Sequence, residues 1–239
     1  MLLTFFLQSV IFLSSEMKIR FFLGIVEHNR AVALAVRSLH VVLCEQLKQV
    51  TLLRECRKHL RYLEDLELVL PRLMPSRWGR LLRDLHFHHL DLLRANAPHT
   101  VIAAFLEDHV NVAFLSIEDC GRTSKPCPLD GNGLPVLCDV SGPFGCVSAL
   151  VQNNPVSRVT AHQSPATQPI PAFILFSSLS TSTACLTVLE LELSPMDFDV
   201  LECLTVSTPA LIALKLMEVQ APTLVSFHWI FSIAFDNIK

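Results

Sequence analysis

The sequence predicts an α/β architecture built from one short repeated unit, on three observations. Leucine supplies 41 of the 239 residues, well above its usual share. An L-x-x-L-x-L spacing recurs eight times. Helix-spaced apolar stretches lie between those recurrences. A single strand with its return helix cannot bury its own apolar face, so neighbouring units must stack to make a core. The expected product is a curved parallel sheet with helices on the convex side, a solenoid of the leucine-rich-repeat kind.

Taken in order, the units begin with Val36-x-x-Leu39-x-Val41 and Leu63-x-x-Leu66-x-Leu68, the second extended backward by Leu60. Leu82-x-x-Leu85-x-Phe87, Val112-x-x-Leu115-x-Ile117 and a weaker frame over 134–139 follow. Val156-x-x-Val159-x-Ala161, Leu186-x-x-Leu189-x-Leu191 and Leu211-x-x-Leu214-x-Leu216 close the series. The middle residues fall at 39, 66, 85, 115, 137, 159, 189 and 214. Their spacing scatters around the leucine-rich-repeat period.

Between the units, residues 45–60 place Leu47, Val50, Leu53, Cys56 and Leu60 at helical spacing. Val101, Ile102, Phe105 and Leu106 do the same over 100–109. Ser194-Pro195 reads as an N-cap with proline at N1, opening a helix that Pro209 stops. Two stretches break the regularity. Residues 121–133 carry the turn signals Asp130-Gly131 and Asn132-Gly133, and residues 160–171 are rich in Pro, Ser, Thr and Gln. Residues 1–20 are expected as an apolar helix or signal-like segment, 21–220 as the repeat domain and 221–239 as an irregular tail.

Composition narrows the function. A net charge of −3 without a clustered basic face argues against nucleic-acid binding. Seven glycines are too few for an enzyme built on Gly-rich phosphate loops. The eight cysteines include no C-x-x-C pair, so no zinc site or other metal is expected and the thiols read as reduced and structural. Residues 1–15 are apolar but lack a preceding Lys or Arg, and are too short to span a bilayer. A cytoplasmic or nuclear protein is expected, with membrane association disfavoured. A secreted or membrane-tethered repeat protein is the alternative if residues 1–15 act as a signal.

Candidate chemistry is sparse. Asp84, His86, His88 and His89 form the tightest titratable cluster, and in a strand the first three share one face. Imidazole and carboxylate suit zinc, but a solvated strand row is the simpler reading. Ser141-Gly142-Pro143-Phe144-Gly145 has Asp139 where a nucleophile elbow needs its first glycine. The segment at 121–125 lacks the second P-loop glycine, and Leu134 interrupts a calcium-loop pattern started by Asp130. No cofactor and no catalytic residue is expected. An α/β enzyme with an unrecognised site is the second alternative.

The runs FFLGIVEHNRAVALAVRSLHV (21–41), LRYLEDLELVLP (60–71), AAFLEDHVNVAFLSIEDC (103–120), LPVLCDVSGPFGCVSALVQNNPVSRV (134–159) and CLTVLELEL (185–193) resemble, in that order, fungal F-box/leucine-rich-repeat-like proteins. The resemblance implies a non-catalytic module that recognises a protein substrate for a ubiquitin ligase. In that family a helical F-box segment docks a Skp-type adaptor. MLLTFFLQSVIFLSS does not look like one, which leaves adaptor docking without its usual segment. The expected partner-binding row, on the concave face, comprises Arg37, His40, Glu64, Asp65, Glu67, Asp84, His86, Ser116, Glu190, Glu192 and Lys215.

Overall fold

The computed structural model describes residues 10–44, 50–71, 73–83, 85–118, 127–131, 133–163, 172–193, 197, 200–218 and 233–234. The chain divides into two units, Met1–Val112 and Ala113–Lys239. In the first, the strands β1 (Val10–Leu13), β2 (Ser38–Val42), β3 (Asp65–Val69) and β4 (Leu92–Ala95) pair in parallel and in sequence order. The helices α1 (Glu16–His28), α2 (Arg30–Ala35), α3 (Val50–Lys58), α4 (Pro75–Leu82) and α5 (His99–Leu106) connect or follow them. In the second unit, β5 (Phe114–Ile117), β6 (Asp139–Pro143), β7 (Arg158–His162), β8 (Val188–Leu193) and β9 (Ala213–Glu218) pair in parallel. They alternate with α6 (Phe144–Val151), α7 (Ala172–Leu179) and α8 (Val200–Ser207), and β10 (Ile233–Ala234) adds antiparallel to β9.

The alternation of burial along each strand follows from covering one face of a sheet. Leu39, Leu66 and Leu93 lie in one register column and are almost fully buried, while the residues after them stay half-buried or exposed. Ile11 heads that column, and the four residues are 28, 27 and 27 positions apart. On the helix side, Ile19, Phe22 and Val26 of α1, Leu53 and Cys56 of α3 and Trp78 of α4 complete the core. Burial pushes the Cys56 thiol up to about 12, consistent with a cysteine used as a small hydrophobe. Cys44, Cys56, Cys185 and Cys203 are free thiols.

A backbone clamp locks successive strands. The Arg37 carbonyl accepts from the N–H groups of Glu64 and Asp65 at 2.7 and 3.0 Å, and the Glu64 carbonyl accepts likewise from Asp91 and Leu92. In the second unit the carbonyls of Ala113, Cys138, Ser157 and Thr187 repeat the arrangement. The starts of β3, β4, β6, β7, β8 and β9 are thereby fixed by their predecessors, which accounts for a constant register there despite connections of unequal length. Ser15 caps α1 by accepting from Lys18 N–H at 3.3 Å, and Asn29 ends α1 and caps α2.

Several expectations need correction. Residues 82–87 form no strand: α4, started by Pro75, runs through Leu82, and Phe87 donates its N–H to buried His109 rather than to a ladder. The true unit is Leu90-x-x-Leu93-x-Ala95, whose alanine makes it a weaker match than the frame at 82–87. The frame over 134–139 is displaced for the same reason, since Leu137-x-x-Val140-x-Gly142 forms β6 and buries Leu137 and Val140. Near the N-terminus, Val10–Leu13 is a strand rather than a helix, so the series starts one unit earlier than expected. Residues 160–162 belong to β7 and not to a loop. The helix expected over 45–60 is described as Val50–Lys58, and that over 100–109 as His99–Leu106. The expected cap at 194–195, most of the loop at 121–133, residues 164–171 and nearly all of 221–239 lie outside the described residues. No helix among the described residues is long and apolar enough to cross a membrane.

Two buried polar groups mark special positions. Asn154 accepts from Leu134 N–H at 2.7 Å and donates to the Leu150 carbonyl at 2.7 Å, tying the exit of α6 to an upstream turn. Arg57 is buried with no carboxylate partner, bonding the Leu53 and Leu81 carbonyls while its Nη1 has no partner. Burial pulls that guanidinium down to about 9.

Gly142 stands where the third column of β6 passes Ile117, and a Cβ there would lie 2.7 Å from Ile117 Cγ1. Gly142→Ala is expected to destabilise the protein by about 1–3 kcal/mol. Ile117→Ala in the same chain should recover part of that loss, read as positive coupling in urea denaturation of the two single variants and the double one.

Candidate functional site

The residues that burial of 39, 66 and 93 forces outward line up across the first sheet. Phe12, His40, Glu67 and Arg94 occupy one register row on β1 to β4. Phe12, 67% exposed, stacks on His40 with ring centroids 4.4 Å apart. His40 Nδ1 lies 2.5 Å from Glu67 Oε2, and Arg94 Nη1 donates to Glu67 Oε1 at 3.2 Å. An ionised carboxylate has no proton to give, so Nδ1 carries the hydrogen. In the neutral ring, Nε2 then accepts from the Ser38 hydroxyl, 2.8 Å away. Burial raises the Glu67 carboxyl, but hydrogen bonds from His40 and Arg94 outweigh it and hold the group below the usual carboxylate range.

A second row sits at the N-terminal edge of the same strands. Arg37 places its guanidinium 5.1 Å above the Tyr62 ring, reaches Glu64 at 3.3 Å and donates to the Leu34 carbonyl at 2.8 Å. Tyr62 in turn stacks on His89 at 5.5 Å. Asp91 is held above the usual carboxylate range by burial, with Asp65 and Glu64 adding like charge.

In the second unit the equivalent row is Ser116, Ser141, Thr160, Glu190 and Lys215. Lys215 pairs with Glu190 at 3.0 Å, and Glu192 accepts from Gln163 N–H at 3.2 Å. One row toward the strand starts, Arg158 meets Asp139 at 3.5 Å. Burial raises the Asp139 carboxyl and Glu190 adds to this, against the pull of Arg158.

Most of the expected row is therefore on the strands or at their edges. His40, Glu67, Ser116, Glu190 and Lys215 lie in register rows, Glu192 two residues further along β8, Asp65 at the start of β3, and Arg37 and Glu64 just before β2 and β3. His86 does not join them: it lies in the connection from α4 to β4, exposed, 3.9 Å from Asp108. Asp84 lies outside the described residues. His88 and His89 are in a turn and share no strand face with His86. The sequence reading missed Phe12, Arg94, Ser141 and Thr160. The 27-residue spacing from His40 to Glu67, continued once more, would have found Arg94.

No protein-family model, curated protein or solved structure matches the chain. Function has to be read from these side chains.

The Glu67 network sets a pH dependence. A folded-state pKa below the unfolded value stabilises the protein above the unfolded pKa of about 4.3, and the gain is lost as pH falls through the folded pKa. Glu67→Gln is expected to cost about 1–2 kcal/mol at pH 7. Thermal melts taken from neutral to acid pH should show the gap to the parent protein closing below about pH 4.

Proposed function

We propose that the chain is a leucine-rich-repeat-like module that binds a protein partner through the open faces of its sheets and does no chemistry on it. The observation that carries this reading is the register-locked row of outward side chains. His40, Glu67 and Arg94 are held in one unit, and Thr160, Glu190 and Lys215 in the other, on parallel strands that cannot shift past one another. Side chains ordered before binding lose less freedom on complex formation, so a rigid row of donors and acceptors favours specific recognition. The resemblance to F-box/leucine-rich-repeat-like proteins makes a ubiquitination substrate the partner class, with the chain acting as the recognition part of a ligase adaptor.

The test is affinity capture of the full chain from eukaryotic cells, with partners identified by mass spectrometry and compared with a charge-swapped variant. Glu190→Lys combined with Lys215→Glu keeps the ion pair but inverts its order along the row. The swap is expected to leave the melting temperature within about 2 °C of the parent, since it keeps the half-buried ion pair and such pairs near the surface contribute little. Partner recovery should fall at least tenfold, the size expected from placing like charges across an interface. Equal recovery by both proteins would remove the open face from the interaction. A Skp-type adaptor and cullin among the captured proteins would support the ligase role.

A further inference from the structure

Two cysteines of the second unit stand side by side. The sulfurs of Cys127 and Cys146 lie within 4.8 Å of each other, although no C-x-x-C spacing relates them. Cys146 is buried in α6 together with Val147 and Leu150. Cys127 is half-buried and opens the turn at 127–131. Its carbonyl accepts from Asp130 N–H at 2.9 Å, Leu129 is fully buried, and Gly131 takes the left-handed conformation open to glycine, with φ 83°. The turn is therefore anchored, and it holds the Cys127 sulfur beside that of Cys146. Other thiols are used differently: Cys56 donates to the Ile19 carbonyl at 3.6 Å, and Cys138 to the Ala113 carbonyl at 3.5 Å.

A disulfide needs its two sulfurs about 2.05 Å apart. The gap to close is under about 3 Å, and a step between neighbouring χ1 rotamers moves a sulfur by about that much. Half-buried Cys127 has room for the step, while Cys146 is held in the core. Exposure also orders the chemistry. A peroxide reaches Cys127 first: its thiolate attacks one oxygen, the O–O bond breaks, a sulfenic acid forms and the departing hydroxide leaves as water. The Cys146 sulfur then attacks the Cys127 sulfur, the S–O bond breaks, the S–S bond forms, and hydroxide takes the Cys146 proton as a second water. The two sulfurs lose two electrons and the peroxide gains them.

We propose that Cys127 and Cys146 are a redox pair whose reversible disulfide ties the turn at 127–131 to α6. The ring it closes, from 127 to 146, contains all of β6 and with it Ser141 of the outward row. Cross-linking removes freedom from the unfolded chain, so the oxidised form is the more stable one. Peroxide sets the bond, and thiol reductants release it by exchange. The pair does not depend on the open-face reading, and neither stands or falls with the other.

The probe is hydrogen peroxide, applied to the full chain after reductant is removed, and followed by intact mass, peptide mapping without reduction, and thermal melts. A loss of about 2 Da is expected, with one cross-linked peptide pair joining Cys127 to Cys146. The melting temperature should rise by about 5 °C. Dithiothreitol should reverse all three changes. Cys127→Ser should abolish the link and the melting shift. That substitution sits in a turn and not in the core, so it can be read even if Cys146→Ser fails to fold. Cys185→Ser, at an exposed thiol, should change neither readout. A link from either cysteine to Cys120 or Cys138 would overturn the proposal. So would an unchanged mass, a Cys127 sulfinic acid without a link, or a melting shift that persists in the Cys127→Ser variant.

Discussion

The parallel register of successive strands is the constraint on which everything else depends. Each strand is only four to six residues long, too short to hold its own position. Its buried residues are completed by the same positions one unit away, and the shared-carbonyl clamp at the starts of β3, β4 and β6 to β9 removes the remaining freedom to slip. A shift by one residue would send a whole column of leucines into water. The columns also have to fill together. Where Gly142 and Ala161 supply little volume, Ile117 and Leu191 stand beside them, so neighbouring units compensate in size and no unit can be altered alone.

The same constraint builds the outward rows. With strand period two, burying 39 and 41 obliges 40 to face out, and the fixed register then places 40, 67 and 94 side by side. Histidine, glutamate and arginine in adjacent places form a chain of hydrogen bonds that half-buries the carboxylate yet keeps it ionised. Desolvation and charge-assisted bonding oppose one another there, and the bonding prevails because Glu67 has a donor on each side. At Asp139 the balance reverses: Arg158 is a single partner, largely exposed, and Glu190 adds like charge.

How much of this was legible in the sequence depends on side-chain size. The units around Leu39, Leu66, Leu115, Leu189 and Leu214 could be read because their inward positions carry large apolar residues, and the unit around Val159 on its two valines despite Ala161. The units around Leu93 and Val140 were misplaced because fuller apolar frames at 82–87 and 134–137 lie just upstream, while Ala95 and Gly142 weaken the true ones, Gly142 fitting its third column against Ile117. That neighbour is distant in sequence, so no local pattern reports it. Phe12 was hidden for a different reason: an apolar stretch at a chain start reads as helix or signal, and only pairing with β2 makes it a strand.

On the open face of each unit's sheet the cations are engaged: Arg94 with Glu67 and Arg37 with Glu64 in the first, Lys215 with Glu190 and Arg158 with Asp139 in the second. A partner there must compete with existing pairs or complement their ordered dipoles, so affinity would come from shape and hydrogen bonding and respond weakly to salt. A surface already neutralised by its own residues is suited to discriminating among proteins.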